Sequence, residues 1–268
     1  MDLILLLKAF ILGLVEGATE FLPVSSTGHL IVVGDLLNFN DDKGKVFEIV
    51  IQLGAILAVC WEFRSRLAAD LANVATQKTA QRFFINLAIA FLPAALLGFA
   101  FHHQIKTYLF SPVTVALALI LGGLAILYIE KSAHAAETTS MDDISHKQAF
   151  QIGCAQALAL VPGISRAGAT ILGGMVFGLT RQTATEFSFL LAIPIMFAAT
   201  AFDLLSNRDA LAWTDSAMFA VGFITAFFSA LLAVKILLRY VAHHNFRAFA
   251  WYRIVLGLTV LAYFWPFT

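Results

Sequence analysis

The chain alternates long apolar runs with short polar breaks. Apolar segments cover residues 3–15, 21–37, 46–61, 83–101, 112–129, 148–161, 168–179, 184–205, 216–238 and 249–267. A membrane-crossing helix needs about 20 residues, so 3–15, 148–161 and 168–179 fall short and have the length of re-entrant half-helices. The pattern predicts two hairpins of helix, break and helix, over 3–37 and 148–179, that dip in and return. The other six segments read as full spans, 46–61 being the weakest. The expected fold is an all-α polytopic membrane protein.

The polar residues are concentrated at the breaks. The stretch EGATEFLPVSSTGHL from Glu16 puts two carboxylates, two serines, a threonine and a histidine into apolar surroundings. An ionisable side chain at bilayer depth costs about 2.5–3.5 kcal/mol even on the lenient insertion scale, so such groups face cavities and carry function. Glu16 and Glu20 are four apart and share one face of a helix running into Pro23, where that helix must stop. A serine before an apolar run is a helix start, so the next helix is expected to open at Ser25 or Ser26.

The two hairpins are related in sequence. Aligning Gly28 with Gly168 sets Ser25 on Ser165, Ser26 on Arg166 and Glu16 on Gln156; PVSSTG faces PGISRAG with one extra residue. FEIVIQLGAILAV from Phe47 parallels TEFSFLLAIPIMFAAT from Thr185, with Glu48 facing Glu186. The chain reads as one membrane domain over 1–268 built by duplication, 1–130 forming the first repeat and 148–268 the second, joined by the polar stretch 131–148. Three crossings per half turn the second copy upside down. An inverted repeat whose broken helices meet near the midplane builds a binding site there.

Composition agrees: 60% of residues are hydrophobic, 13% are charged and mean hydropathy is +0.85. Formal net charge is zero, so bulk charge names no partner and nothing suggests a nucleic acid. Cys60 and Cys154 lie in apolar runs and read as small buried thiols. The start, MDLILLLKAF, lacks a basic segment before its apolar run, so a cleaved signal peptide is not expected. The loops near 62–82, 131–147 and 239–248 carry Arg64, Arg66, Lys78, Arg82, Lys131, Lys147, Arg239 and Arg247, with Arg181 nearby. The opposite side has Lys8, Lys43, Lys45, Lys106 and Arg208. The richer side is expected in the cytoplasm, with both termini outside and the first hairpin entering from the outer side.

If both breaks reach the midplane, two helix amino termini point at one spot, one at Ser25/Ser26 and one at Ser165/Arg166. Free N–H groups and the positive dipole end make each an anion site, and Arg166 adds a guanidinium fork suited to phosphate oxygens. Glu16 and Glu20 would repel a bare phosphate, so a divalent cation, Mg²⁺ or Ca²⁺, is expected between carboxylates and phosphate. Ser26 and His29 are three apart and can share a face, with histidine activating the hydroxyl; attack by His29 itself or by metal-bound water are the alternatives.

EGATEFLPVSSTGHLIVVGDLL, FEIVIQLGAILAV, PGISRAGATILGGM and EFSFLLAIP together resemble the bacterial undecaprenyl-diphosphatase family, also known for bacitracin resistance, over nearly the whole chain and in order. The resemblance implies hydrolysis of undecaprenyl diphosphate to undecaprenyl phosphate and inorganic phosphate, recycling the lipid carrier of cell-wall synthesis. It also implies an inner-membrane enzyme acting at the periplasmic face and dependent on a divalent metal. Carried onto this chain, it puts the family's glutamate motif on Glu16 and Glu20, its serine and histidine on Ser26 and His29, and its basic residue on Arg166. Ser25, Thr27, Ser165 and Thr170 are then the substrate-binding polar positions. Ala167 stands where the family has a second serine, which leaves a backbone N–H for that contact.

Plainer readings stand beside these. Arg166 can be a structural partner of Glu20, and His29 a satisfied core histidine. Glu48 and Glu186 read as bracing residues, and Arg253 either reaches the phosphate or snorkels to the interface. A secondary transporter or lipid flippase is the rival function, since inverted repeats with broken helices are a transporter signature. The expected partners are an isoprenyl diphosphate and membrane lipids, and a homodimer stays open.

Overall fold

The computed structural model describes residues 3–39, 42–132, 136–206 and 215–264. Arg208, and the side chains of Lys43, Lys45 and Lys106, lie outside the described residues. The regular structure among them is helical: α1 (Leu3–Thr19), α2 (Ser26–Leu36), α3 (Asp42–Glu62), α4 (Arg64–Asn73), α5 (Lys78–Leu109), α6 (Pro112–Lys131), α7 (His146–Ala157), α8 (Arg166–Val176), α9 (Arg181–Ser206), α10 (Ser216–Val241) and α11 (Arg247–Phe264). Two 3₁₀ turns, Met141–Asp143 and Leu158–Leu160, and a parallel bridge between Thr138 and Leu179 complete it.

The breaks form where the sequence requires. α1 ends at Thr19, ahead of Pro23, which has no N–H for a continuing ladder. Ser25 caps α2 by accepting a hydrogen bond from the Gly28 N–H, and Ser165 caps α8 by accepting one from Gly168 N–H at 3.0 Å. Ser25 holds φ at 70°, in the left-handed region that non-glycine residues seldom occupy. The second hairpin starts with a reciprocal cap between Ser145 and Gln148. Gln148 also donates to the Phe177 carbonyl at 3.0 Å, so α8 returns to the end from which α7 set out.

Each hairpin leans on a long helix of the other half. α1 packs on α10, and α7 packs on α5. Both contacts are close because a glycine sits in each. A Cβ at Gly13 would lie 3.1 Å from Gly222 Cα, and one at Gly153 would lie 2.6 Å from the Ala90 carbonyl oxygen. α6 packs on α11, while α3 packs on both α9 and α10.

Among the described residues, five helices are long and apolar enough to cross a membrane, and six if the bent pair of α3 and α4 counts as one span. The straight span expected over 46–61 is therefore half of a unit bent by 70° near Phe63. Glu62, Arg64, Arg66 and Asp70 explain the bend, since a straight continuation would drive these charges onward through apolar surroundings. Their partners tie one end of the molecule together. Arg66 bonds to Asp70 at 2.6 Å and to Asp142, Arg82 donates to the Ile144 carbonyl at 3.0 Å, and Glu130 pairs with Arg181 while accepting the Phe246 N–H at 2.8 Å. The loops near 62–82, 131–147 and 239–248 thus gather at one end, as the arginine and lysine distribution predicts. Outward-facing Leu3, Phe99, Tyr128 and Trp251 present apolar surface that a bilayer covers. Cys154 departs from expectation: it sits on the exposed face of α7, and neither it nor Cys60 is in a disulfide.

Candidate active site

The two breaks meet inside the bundle. Ser165 donates to the Leu22 carbonyl at 3.3 Å, so the cap of one hairpin bonds to the break of the other. Arg253 joins them more firmly. It is 2% exposed and donates to the carbonyls of Pro23 at 3.3 Å in the first break and Gly163 at 3.1 Å in the second, as well as to Ala118 and Leu119 of α6. Its guanidinium has no carboxylate within ion-pair distance among the described residues. It does not snorkel to an interface; Nη1 and Nη2 clamp the two tips, and Nε, with Nη2, anchors the side chain to α6.

Around this clamp the charged groups converge. The Arg166 Nη2 donates to Glu20 Oε1 at 2.9 Å, with the side chains 13% and 8% exposed. The same guanidinium lies over the Phe21 ring at 5.4 Å and reaches Met196 Sδ on α9 at 3.0 Å. Glu20 uses its other oxygen to accept the Ser26 hydroxyl at 2.5 Å. Arginine, carboxylate and hydroxyl therefore stand in one chain of hydrogen bonds, contributed by both hairpins. A charge-assisted bond of this kind in a water-poor setting is among the strong ones.

The remaining sequence-chosen residues divide. Glu16 is 2% exposed, its carboxylate makes no hydrogen bond among the described residues, and it stands in the electrostatic field of Glu20, Glu48 and Arg166. Thr27 is half-buried beside Ser26. Thr170 is turned inward and bonded to Ser188 at 2.5 Å and to the Arg166 carbonyl, which ties α8 to α9. His29 lies on α2 but does not bond to Ser26. Its Nδ1 lies 2.7 Å from the Ser25 carbonyl oxygen, to which it donates, so in the neutral ring Nε2 accepts from the Tyr252 hydroxyl at 2.6 Å. The group that accepts the hydrogen bond of the Ser26 hydroxyl is Glu20.

Glu20 and Arg166 line one wall of a cavity of about 540 Å³. Its polar end includes Gln52 and Gln156, and its remaining wall is mostly apolar, with Phe91, Ala94, Gly98, Met196 and Ala199, and carries Asp203. The shape suits a ligand with a charged head and an apolar tail. Glu48, Gln52, Gln156 and Tyr252 are the residues that sequence reasoning did not assign to the site. A usable signal existed for two of them: Glu48 and Gln52 are four apart on α3, the same spacing that singled out Glu16 and Glu20. The expected symmetry between Glu48 and Glu186 is broken, since Glu186 bonds to Gln182 at the surface.

No group of three or more histidine, cysteine, aspartate or glutamate side chains is assembled to hold a metal among the described residues. The donors present fit a hard divalent ion in kind, because Glu16 is a buried carboxylate without a hydrogen-bond partner and lies in the field of Glu20. Mg²⁺ commonly takes one or two carboxylates and completes its shell with phosphate oxygens and water.

Comparison with known proteins gives a consistent result. A protein of Methylobacillus flagellatus named undecaprenyl-diphosphatase is 64% identical over 99% of this chain and 100% of its own length. Proteins of the same name from Nitrosomonas europaea and Ectopseudomonas mendocina are 60% and 54% identical, over 97% and 98% of this chain and 95% of each relative. The family model described as bacitracin resistance protein BacA matches residues 9–259, and the chain belongs to that family.

Proposed function

We propose that this protein hydrolyses undecaprenyl diphosphate to undecaprenyl phosphate and inorganic phosphate, at the cavity between the two hairpin tips. The observation that carries this is the hydrogen-bonded series Arg166, Glu20, Ser26, of which Arg166 and Glu20 line a cavity whose other walls are mostly apolar. The names of the full-length relatives agree with it, and they do not favour the transporter or flippase reading.

In this reading the Ser26 hydroxyl attacks the terminal phosphorus while Glu20 takes its proton. The bridging P–O bond breaks, and the lipid phosphate leaves with the electron pair. Arg166 and the amino termini of α2 and α8 stabilise the charge on the phosphate oxygens. Protonated Glu20 then returns its proton to Ser26 Oγ as water cleaves the phosphoserine, releasing dihydrogen phosphate. Ser25 and Ser165 hold the two amino termini in place, Thr27 lies beside the head group, and Thr170 fixes α8 against α9. His29, held by Ser25 and Tyr252, orients the first turn of α2.

Glu16 and Glu20 would hold a Mg²⁺ or Ca²⁺ ion, which when bound neutralises charge on the diphosphate oxygens. Chelation with EDTA is then expected to abolish phosphate release, and either ion to restore it; full activity after exhaustive chelation contradicts the metal.

The apolar wall would take the first isoprene units. Replacing Ala199 with Phe is expected to raise KM for the long-chain diphosphate about tenfold, with kcat nearly unchanged. An unaltered KM places the tail elsewhere. The direct test of the function is phosphate release from undecaprenyl diphosphate by purified protein in detergent. Release no faster than in protein-free micelles rejects it.

The inverted repeat, with six spans and two re-entrant hairpins, is part of the same proposal. It is supported by the matched packing of α1 on α10 and α7 on α5, each through a glycine at the same repeat position, and by matched serine caps. The clustering of positive loops at one end supports an inner-membrane protein whose site opens to the periplasmic side.

A further inference from the structure

Gln156, in the last turn of α7, is 1% exposed and lines the cavity together with Glu20, Arg166 and Gln52. Its Nε2 donates to the Ala90 carbonyl across a long 3.4 Å, and its Oε1 has no hydrogen-bond partner among the described residues. A buried amide oxygen left without a donor costs roughly 1–3 kcal/mol, a cost worth holding only where a ligand relieves it. The diphosphate is rich in acceptors, as is the carboxylate of Glu20, and the Arg166 donors are already turned to Glu20 and α9. The donors left unclaimed on this wall are the Gln52 amide and water, and of the two only water takes part in the reaction.

We propose that Gln156 is a positioning residue whose Oε1 accepts a hydrogen bond from the water that cleaves the phosphoserine at Ser26. The inference rests on the reaction given above and deepens it. Water attack forms a new P–O bond and breaks the bond from phosphorus to Ser26 Oγ, which regains a proton from Glu20. An acceptor behind the water aligns its lone pair toward phosphorus. The repeat offers a reason why the position tolerates an oxygen acceptor: Gln156 stands where the first copy has Glu16, so a carboxylate fits the equivalent place. Gln52 has no hydrogen-bond partner among the described residues either and lies on the same wall, giving the water a second polar neighbour.

The test is acid-quench trapping of the phosphoenzyme during turnover of an isoprenyl diphosphate, comparing wild type with Gln156→Leu and Gln156→Glu. The leucine variant is expected to lose about 10–100-fold in kcat while accumulating phosphoserine on Ser26, since water attack slows and serine attack does not. The glutamate variant keeps an acceptor oxygen and is expected to recover most of that loss. Wild-type turnover by the leucine variant overturns the inference, and so does slow turnover without phosphoserine. If the leucine variant does not fold, Gln156→Met gives the same readouts. Ser26→Ala, run alongside, separates the two levels. Near-normal turnover by Ser26→Ala removes the phosphoserine route and this inference with it. An inactive Ser26→Ala beside a fully active Gln156→Leu removes the role of Gln156 alone.

Discussion

Replacing Glu20 with Gln is expected to lower kcat for diphosphate hydrolysis by about 10²–10⁴-fold, the range typical of a lost general base. The substitution keeps the size of the side chain and an oxygen that can still bond Arg166 or Ser26, so the fold should persist. What it removes is the carboxylate that accepts the Ser26 proton from 2.5 Å away. Removing Arg166 instead combines two effects. It withdraws the charge facing the phosphate and leaves a carboxylate only 8% exposed without its ion pair, a loss of about 3–5 kcal/mol when a buried pair is broken one-sidedly. Glu20→Gln is therefore the cleaner variant. Steady-state kinetics with a parallel thermal melt checks it: a wild-type melt with kcat within threefold of wild type excludes Glu20 as the base.

Arg253→Met is expected to destabilise the protein and to inactivate it. The guanidinium bonds the carbonyls of Pro23 and Gly163, one in each break, where no helix ladder satisfies them. Each buried carbonyl left unpaired costs roughly 1–3 kcal/mol, so loss of both is worth about 2–6 kcal/mol. The cost falls on the contact that brings the two tips together. Activity should drop with stability, because Arg166 and Ser26 belong to different hairpins and meet only while the tips stay joined. Arg253→Lys should rescue part of the stability and less of the activity, since one ammonium cannot reproduce the fork that spans both breaks and α6. The check is melting temperature in detergent together with phosphate release. Wild-type values in both for Arg253→Met would show that the clamp is dispensable.

Much of this arrangement was legible in the residues. Local chemistry decides the breaks, so Pro23 with Ser25, and Ser165 before Arg166, marked both helix starts correctly. The expected meeting of Glu20 with Arg166 came from two helix breaks reaching one spot with opposite charges at their tips, and the structure brings them to 2.9 Å. Side-chain direction was less legible. Spacing of three put His29 and Ser26 on a common face, yet His29 is drawn to Tyr252, 223 residues away, a contact that no local pattern encodes. Arg253 was ambiguous for a related reason. A charged residue in an apolar run reads the same whether it reaches lipid headgroups or is buried against carbonyls, and only tertiary packing decides. The bend after α3 was obscured because the apolar run over 46–61 ends in charges that suit either a loop or a second helix.

The most direct test of the central claim, that two hairpin tips form one site around a lipid diphosphate, is an experimental density map of the protein with a non-hydrolysable isoprenyl methylenediphosphonate. The expected map has the terminal phosphonate within hydrogen-bond distance of both Arg166 and Ser26, with the tail along Phe91, Gly98 and Ala199. A head group bound away from the tips, with the Glu20 and Arg166 pair undisturbed, would contradict it.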